Sequence, residues 1–172
     1  MQIRKERPEE FEQIYQLVQE AFTTAQVSDG TEQDFVEELR RRGGYLPEFA
    51  LVAEQDGGLV GHIMLTKTKW IDAKGEEENA LLLAPLCVKE GYRSQGIGGK
   101  LIAEACRRAA DAGYSAVFLI GNPDYYMRYG FACIAGYGIS PIPVHLPLRN
   151  CMAKELKSGA LQGKEGSRVS IE

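Results

Sequence analysis

No apolar run in this 172-residue sequence approaches the roughly 18 residues that a membrane-spanning helix needs. The N-terminal residues Met1-Gln2-Ile3-Arg4-Lys5-Glu6-Arg7 lack the apolar stretch of a secretory signal, so a cytoplasmic protein is the expectation. Cysteine is sparse: Cys87, Cys106, Cys133 and Cys151 lie far apart and form no CxxC pair. With only His62 and His145 as nitrogen ligands, no zinc-like spacing exists and no metal is expected. Isolated thiols of this kind read as small buried hydrophobes in a reducing compartment. An excess of positive charge is also missing, since 20 Lys and Arg stand against 24 Asp and Glu for a formal charge of −4. That balance speaks against nucleic acid or an anionic membrane surface as the main partner. There is no internal repeat, low-complexity tract or linker. What is there is 44% hydrophobic and 26% charged, a globular composition at a length suited to one domain over residues 1–172.

Periodicity predicts the elements. Gln2 to Arg7 suggests a short strand. Phe11, Ile14, Tyr15, Val18, Ala21 and Phe22 recur at helical spacing, with Pro8 suited to the first turn. A second helix is predicted from Thr31, where Thr31-x-x-Asp34 has the form of a capping box. Arg40-Arg41-Arg42 would then favour the negative end of its dipole. Ala50 to Glu54, the turn Asp56-Gly57-Gly58 and Leu59 to Ile71 read as a hairpin. Ala80 to Val88 is the most apolar run, with Pro85 inside it. A proline there requires an edge, a bulge or a gap in the pairing. A helix over Gly96 to Ala112 ends at Gly113. The strand Ala116 to Ile120 follows, and then a short helix from Asn122-Pro123 to Gly130. Cys151 to Leu156 and Gly166 to Ile171 are candidate further strands.

The chemistry concentrates in Val88-Lys89-Glu90-Gly91-Tyr92-Arg93-Ser94-Gln95-Gly96-Ile97-Gly98-Gly99-Lys100. This is a strand, a glycine-bearing loop and the first turn of an amphipathic helix, an arrangement that offers free amides and a positive dipole end to phosphate. Arg93 and Lys100 would add charge. A Walker loop is excluded because Ile97 stands where its lysine belongs. A dinucleotide fingerprint is excluded because Leu101 stands where its third glycine belongs.

Arg93-x-x-Gly96-x-Gly98 resembles the (Q/R)xxGx(G/A) motif with which GNAT acyltransferases hold the pyrophosphate of acetyl-CoA. About 25 residues further on, Asn122-Pro123-Asp124-Tyr125-Tyr126-Met127-Arg128-Tyr129-Gly130-Phe131 resembles that family's N…Y…GF signature. Leu82-x-x-Pro85-Leu86-x-Val88 and Glu155-Leu156-x-x-Gly159-Ala160-Leu161-x-Gly163 are similar to its YhbS-like predicted acetyltransferase subgroup. The departure is Glu90, where the subgroup usually has proline. The element order agrees with the family over nearly the whole chain.

The resemblance implies an α/β fold whose mixed, mostly antiparallel sheet is splayed into a V-shaped cleft and flanked by helices. It implies acetyl-CoA as cosubstrate and an amine, small or on a protein, as acceptor, with homodimers common in the family. Carried over residue by residue, Leu86, Cys87 and Val88 run along the pantetheine arm. Arg93, Ser94, Gln95, Gly96, Ile97, Gly98, Gly99 and Lys100 surround the pyrophosphate, Asn122 contacts the pantetheine side, and Tyr126 protonates the leaving thiolate. The general base stays open among Glu54, His62 and a water chain, and Glu54 and His62 each read more readily as surface or packing residues. An acyl-cysteine route through Cys87 is the less favoured chemistry. Two rival functions remain: a non-catalytic acyl-CoA sensor, and a transferase with another acyl chain or a hydroxyl acceptor. The acceptor site is expected from the early helices, the loop around Asp29-Gly30 and the C-terminal strands.

Overall fold

Pro8 opens a 3-10 turn over Pro8–Glu10 that runs directly into a helix, which fits a residue with a fixed φ and no N–H to leave unpaired. The structure, a computed structural model, describes residues 1–24 and 30–171; Asp29 lies outside them. The strands are β1 (Gln2–Lys5), β2 (Tyr45–Gln55), β3 (Gly58–Ile71), β4 (Glu77–Val88), β5 (Ala116–Ile120), β6 (Ala132–Cys133), β7 (Ser140–Ile142), β8 (Cys151–Glu155) and β9 (Arg168–Ser170). The α-helices are α1 (Phe11–Thr23), α2 (Glu32–Arg41), α3 (Ile97–Asp111) and α4 (Pro123–Tyr126). The strands hydrogen-bond as one mixed, open sheet. It is antiparallel at every pairing described below except β4–β5 and β7–β9, which are parallel.

The chain forms two compact units, Met1–Thr66 with Ala84–Arg108, and Lys67–Leu83 with Ala109–Glu172. In the first, β1 pairs with β2 and β2 with β3. Asp56 and Gly57 both take positive φ, 54° and 76°, as a two-residue hairpin turn matched to strand twist demands. Helix α1 buries Ile14, Leu17, Val18 and Ala21, and α2 buries Val36 and Leu39. They share a core with Ala50, Val52, Met64 and Cys87; each buried Ile, Leu, Val or Met side chain among them contributes about 1.5–3 kcal/mol. The predicted stripe on α1 omitted Leu17. The capping box at Thr31 does not form, since the Thr31 side chain makes no capping bond. Asp34 instead accepts the Tyr15 hydroxyl at 2.8 Å.

In the second unit, Ala80–Leu82 of β4 pairs with Ala116–Phe118 of β5. Strand β5 pairs with β8, and β8 with β6. The end of β3 meets β9 at Trp70↔Val169, and β9 pairs with β7. Trp70 is fully buried, stacks edge-on against Phe118 at 5.1 Å, and donates from Nε1 to Ser167 Oγ at 2.9 Å. The sequence predicted β8 and β9 but neither β6 nor β7. Those strands are two and three residues long, too short to show a period. The β4–β5 register ends at Leu82↔Phe118, short of Pro85. This is a gap in pairing at the point where a proline has no N–H to give.

Candidate active site

The loop after β4 is shaped by two residues of positive φ. Ser94 sits at 60° and Gly96 at 79°, the second a conformation that glycine takes at no steric cost. A 3-10 turn over Glu90–Tyr92 leads in, and Gln95 Nε2 donates to the Gly91 carbonyl at 3.2 Å. The Lys100 N–H donates to Gly96 O at 3.1 Å, so the amides of Ile97, Gly98 and Gly99 precede the helical ladder of α3. The first turn of α3 holds no acidic residue, and Lys100 on it is exposed. Amides, dipole end and cation together have the chemistry that suits an anion.

Arg93 has a different placement from its neighbours in the motif. Its Nε donates to Val88 O at 3.1 Å, Nη1 to Thr24 Oγ1 at 2.8 Å and Nη2 to Ala21 O at 2.6 Å. Upstream, Lys89 N–H donates to Val60 O at 2.9 Å. The main-chain groups of Val88 therefore face the opposite edge of β4, because strand groups alternate. Along β4, Leu86 and Val88 are half-buried and Cys87 is buried. Cys87 packs in the core of its unit, and burial pushes its thiol up to about 12. A thiol so placed stays protonated and is no nucleophile at neutral pH.

The two candidate bases are both engaged. Glu54 pairs with Arg4 of β1 at 2.8 Å. His62 has no exposure, and its Nε2 lies 2.8 Å from Glu6 Oε2. Its Nδ1 is buried without a partner among the described residues. Glu6 also accepts from Arg40 Nε and Nη2 at 3.0 and 2.9 Å and from the Tyr45 hydroxyl at 2.8 Å. Burial raises the Glu6 pKa, but the hydrogen bonds from His62 and Arg40 outweigh it and hold the carboxyl at about 2. Arg40, read from the sequence as a helix-end cation, is thus a buried partner of Glu6 lying 3.8 Å over the Phe11 ring. Glu6, Arg40 and Tyr45 come from three separate segments, and no local pattern marks them as a cluster.

The second motif stands in the other unit. Asn122 Oδ1 accepts from Asp124 N–H at 3.0 Å, capping α4 with Pro123 at its first position. A 3-10 turn over Met127–Tyr129 follows and closes at Gly130, φ 84°. Tyr126 is half-buried, edge-on to Tyr125 at 5.0 Å and to Phe131 at 5.6 Å. Burial raises its phenol to about 12. Gly121 makes room for that ring: a Cβ there would lie 2.3 Å from Tyr126 Cε2. Gly121 is also fixed to Asn150 by reciprocal bonds of 3.0 Å. The sequence reading passed over Gly121, although its place between an apolar strand and Asn-Pro signals a close backbone approach.

Comparison with known proteins bears on this arrangement. The sequence model of the acetyltransferase (GNAT) family matches residues 11–131. The uncharacterized N-acetyltransferase YjhQ of Escherichia coli K12 is 36% identical over 118 residues; the match covers 67% of this chain and 64% of YjhQ. YhbS of the same organism is 30% identical over 139 residues, covering 81% of this chain and 78% of YhbS. The crystal structure of Escherichia coli YhbS in complex with CoA superposes with a TM-score of 0.84 at 29% identity over 99% of this chain and 89% of that one. A Brucella melitensis GNAT acetyltransferase in complex with acetyl-CoA superposes with a TM-score of 0.68 at 35% identity, over 76% of this chain and 82% of that one.

Proposed function

The chain belongs to the acetyltransferase (GNAT) family, and from that premise we propose that it transfers the acetyl group of acetyl-CoA to an amine by direct attack. The observation that carries this reading is the run from Ser94 to Gly99, where two positive-φ residues open α3 and leave amides ahead of its ladder. Such a corner suits the pyrophosphate, with Lys100 supplying charge. The two relatives crystallised with CoA and acetyl-CoA support that cosubstrate.

In the reaction the amine nitrogen attacks the thioester carbonyl carbon, and the Val88 N–H stabilises the oxyanion. The pantetheine arm follows the backbone of Leu86 to Val88, beyond the point where pairing with β5 stops. The C–S bond then breaks, and the thiolate takes a proton from the Tyr126 phenol. A water chain takes the proton lost by the nitrogen and returns one to the Tyr126 phenolate, since Glu54 and His62 are bound by Arg4 and Glu6. Transfer from a phenol at about 12 to a thiolate of pKa about 8.5 would be uphill by roughly 5 kcal/mol in water. Exclusion of water from the thiolate raises its pKa too and narrows that gap. Asn122 contributes to the pantetheine side with the amide end that capping leaves over.

Thermal unfolding with and without CoA tests the cosubstrate. At a ligand concentration of 100 Kd, about 2.7 kcal/mol of stabilisation is expected, a rise in Tm of roughly 5–10 °C. No shift with CoA or acetyl-CoA would overturn the proposal.

A further inference from the structure

A motif arginine beside a phosphate loop would ordinarily direct its charge at the phosphate. Arg93 spends three N–H groups elsewhere, on Val88 O, Thr24 Oγ1 and Ala21 O. Ala21 lies in the last turn of α1, which ends at Thr23. Carbonyls of a helix's last turn have no intrahelical donor, and they carry its negative dipole end. The guanidinium is therefore placed where its charge is answered from within the fold. Its fork geometry joins acceptors that a lysine could not hold together. The third acceptor, Val88 O, lies on the edge of β4 that faces away from Val60. On the proposed mechanism, that residue's N–H meets the oxyanion. Residues 21, 24, 88 and 93 all belong to one compact unit.

We infer that Arg93 is a positioning residue and not a phosphate ligand: it ties the end of β4 to the C-terminus of α1 through the Val88 carbonyl and so fixes the backbone at Val88. The inference rests on the acetyl-CoA reading given above. A role through Val88 acts on the pantetheine end of the cosubstrate, whereas a phosphate contact acts on the other end. Thr24, 69 positions away in sequence, becomes part of the same device. A phosphate-ligand role gives it no part.

The test compares the dissociation constants of CoA and of phosphate-free pantetheine, by calorimetry or competition, in the wild type, Arg93→Met and Thr24→Val. The ratio of the two constants isolates what the nucleotide and pyrophosphate contribute. Arg93→Met is expected to weaken both ligands by about tenfold and leave the ratio unchanged. Thr24→Val, with one bond of three lost, should weaken both by about two- to threefold. Lys100→Gln, acting on the phosphate end, should change the ratio. A general loss of stability would lower Tm without weakening either ligand well below the transition, and that result would overturn the inference. A collapse of the ratio in Arg93→Met, with pantetheine unaffected, would overturn it as well. Should Arg93→Met fail to fold, Thr24→Val decides, and no effect of that substitution on either ligand contradicts the tie. Failure of the wild type to bind CoA would instead strike at the acetyl-CoA reading itself.

Discussion

Tyr126 combines a protonated phenol with a site that leaves its oxygen uncommitted, since among the described residues no hydrogen-bond partner holds it and its only perturbation is burial. Tyr126→Phe keeps the ring contacts with Tyr125 and Phe131 while removing the proton. Steady-state kinetics should show kcat falling about a hundredfold with the affinity for CoA within twofold of wild type; equal kcat would remove the phenol from the mechanism. Because the phenol is raised to about 12, it should produce no alkaline fall in rate between about pH 7 and 10. Glu6 supplies a second residue-level expectation. Its folded pKa of about 2 lies below the ordinary 4.5, so its contribution to stability is complete above about pH 4.5 and is lost as pH falls towards 2. The linkage is on the order of 3 kcal/mol. Urea unfolding at pH 7 and pH 3 should show about 2 kcal/mol of that loss in the wild type, since pH 3 is still above the folded value. Glu6→Gln should shrink it while costing about 1–3 kcal/mol at pH 7, because Arg40 Nε and Nη2 lose their carboxylate and only Glu37, 2.6 Å from Nη1, still pairs with the guanidinium.

Among the elements, the turn before α4 depends on one missing methyl group. Gly121→Ala places a Cβ 2.3 Å from the Tyr126 ring, and Asn150 holds the backbone on either side of that glycine's peptide. The ring must therefore move. Turnover should fall about tenfold or more, with CoA affinity kept and stability lower by about 1–3 kcal/mol. The loop before α3 gives the complementary result, since Gly96→Val forces a branched side chain into φ 79°. That strain, of order 1–2 kcal/mol, together with its place at the amides should abolish measurable CoA binding in calorimetry.

These two segments were legible in the sequence because glycine spacing, capping residues and helical stripes are local signals. The hairpin at Asp56-Gly57 and the stop at Gly113 were legible for the same reason. What stayed hidden depends on partners far along the chain. Arg40 reads as a helix-end cation and Arg93 as a pyrophosphate contact until Glu6 and the end of α1 are brought beside them. Likewise β6 and β7 exist only because β8 and β9 supply their ladders. The candidate bases Glu54 and His62 were placed on the right strands, but nothing in their neighbourhoods announced Arg4 or Glu6.

Across the whole molecule, a formal charge of −4 has to coexist with an anionic cosubstrate. On the proposed reading the cation that serves it is local, at Lys100 and at the start of α3, while Arg93 donates to the end of α1. Among the described residues no helix is long and apolar enough to cross a membrane. The match to the acetyltransferase family takes in 11–131, which holds both motifs. The most direct test of the central claim is release of CoA thiol from acetyl-CoA across a panel of amines, with mass spectrometry of the acceptor. The account predicts saturable, amine-dependent thiol release with one acetyl group gained on nitrogen, about a hundredfold slower in Tyr126→Phe. CoA binding with no amine-dependent release from any member of a broad panel, including polyamines, amino acids, aminoglycosides and peptide N-termini, would contradict it and leave an acyl-CoA-binding protein without transfer.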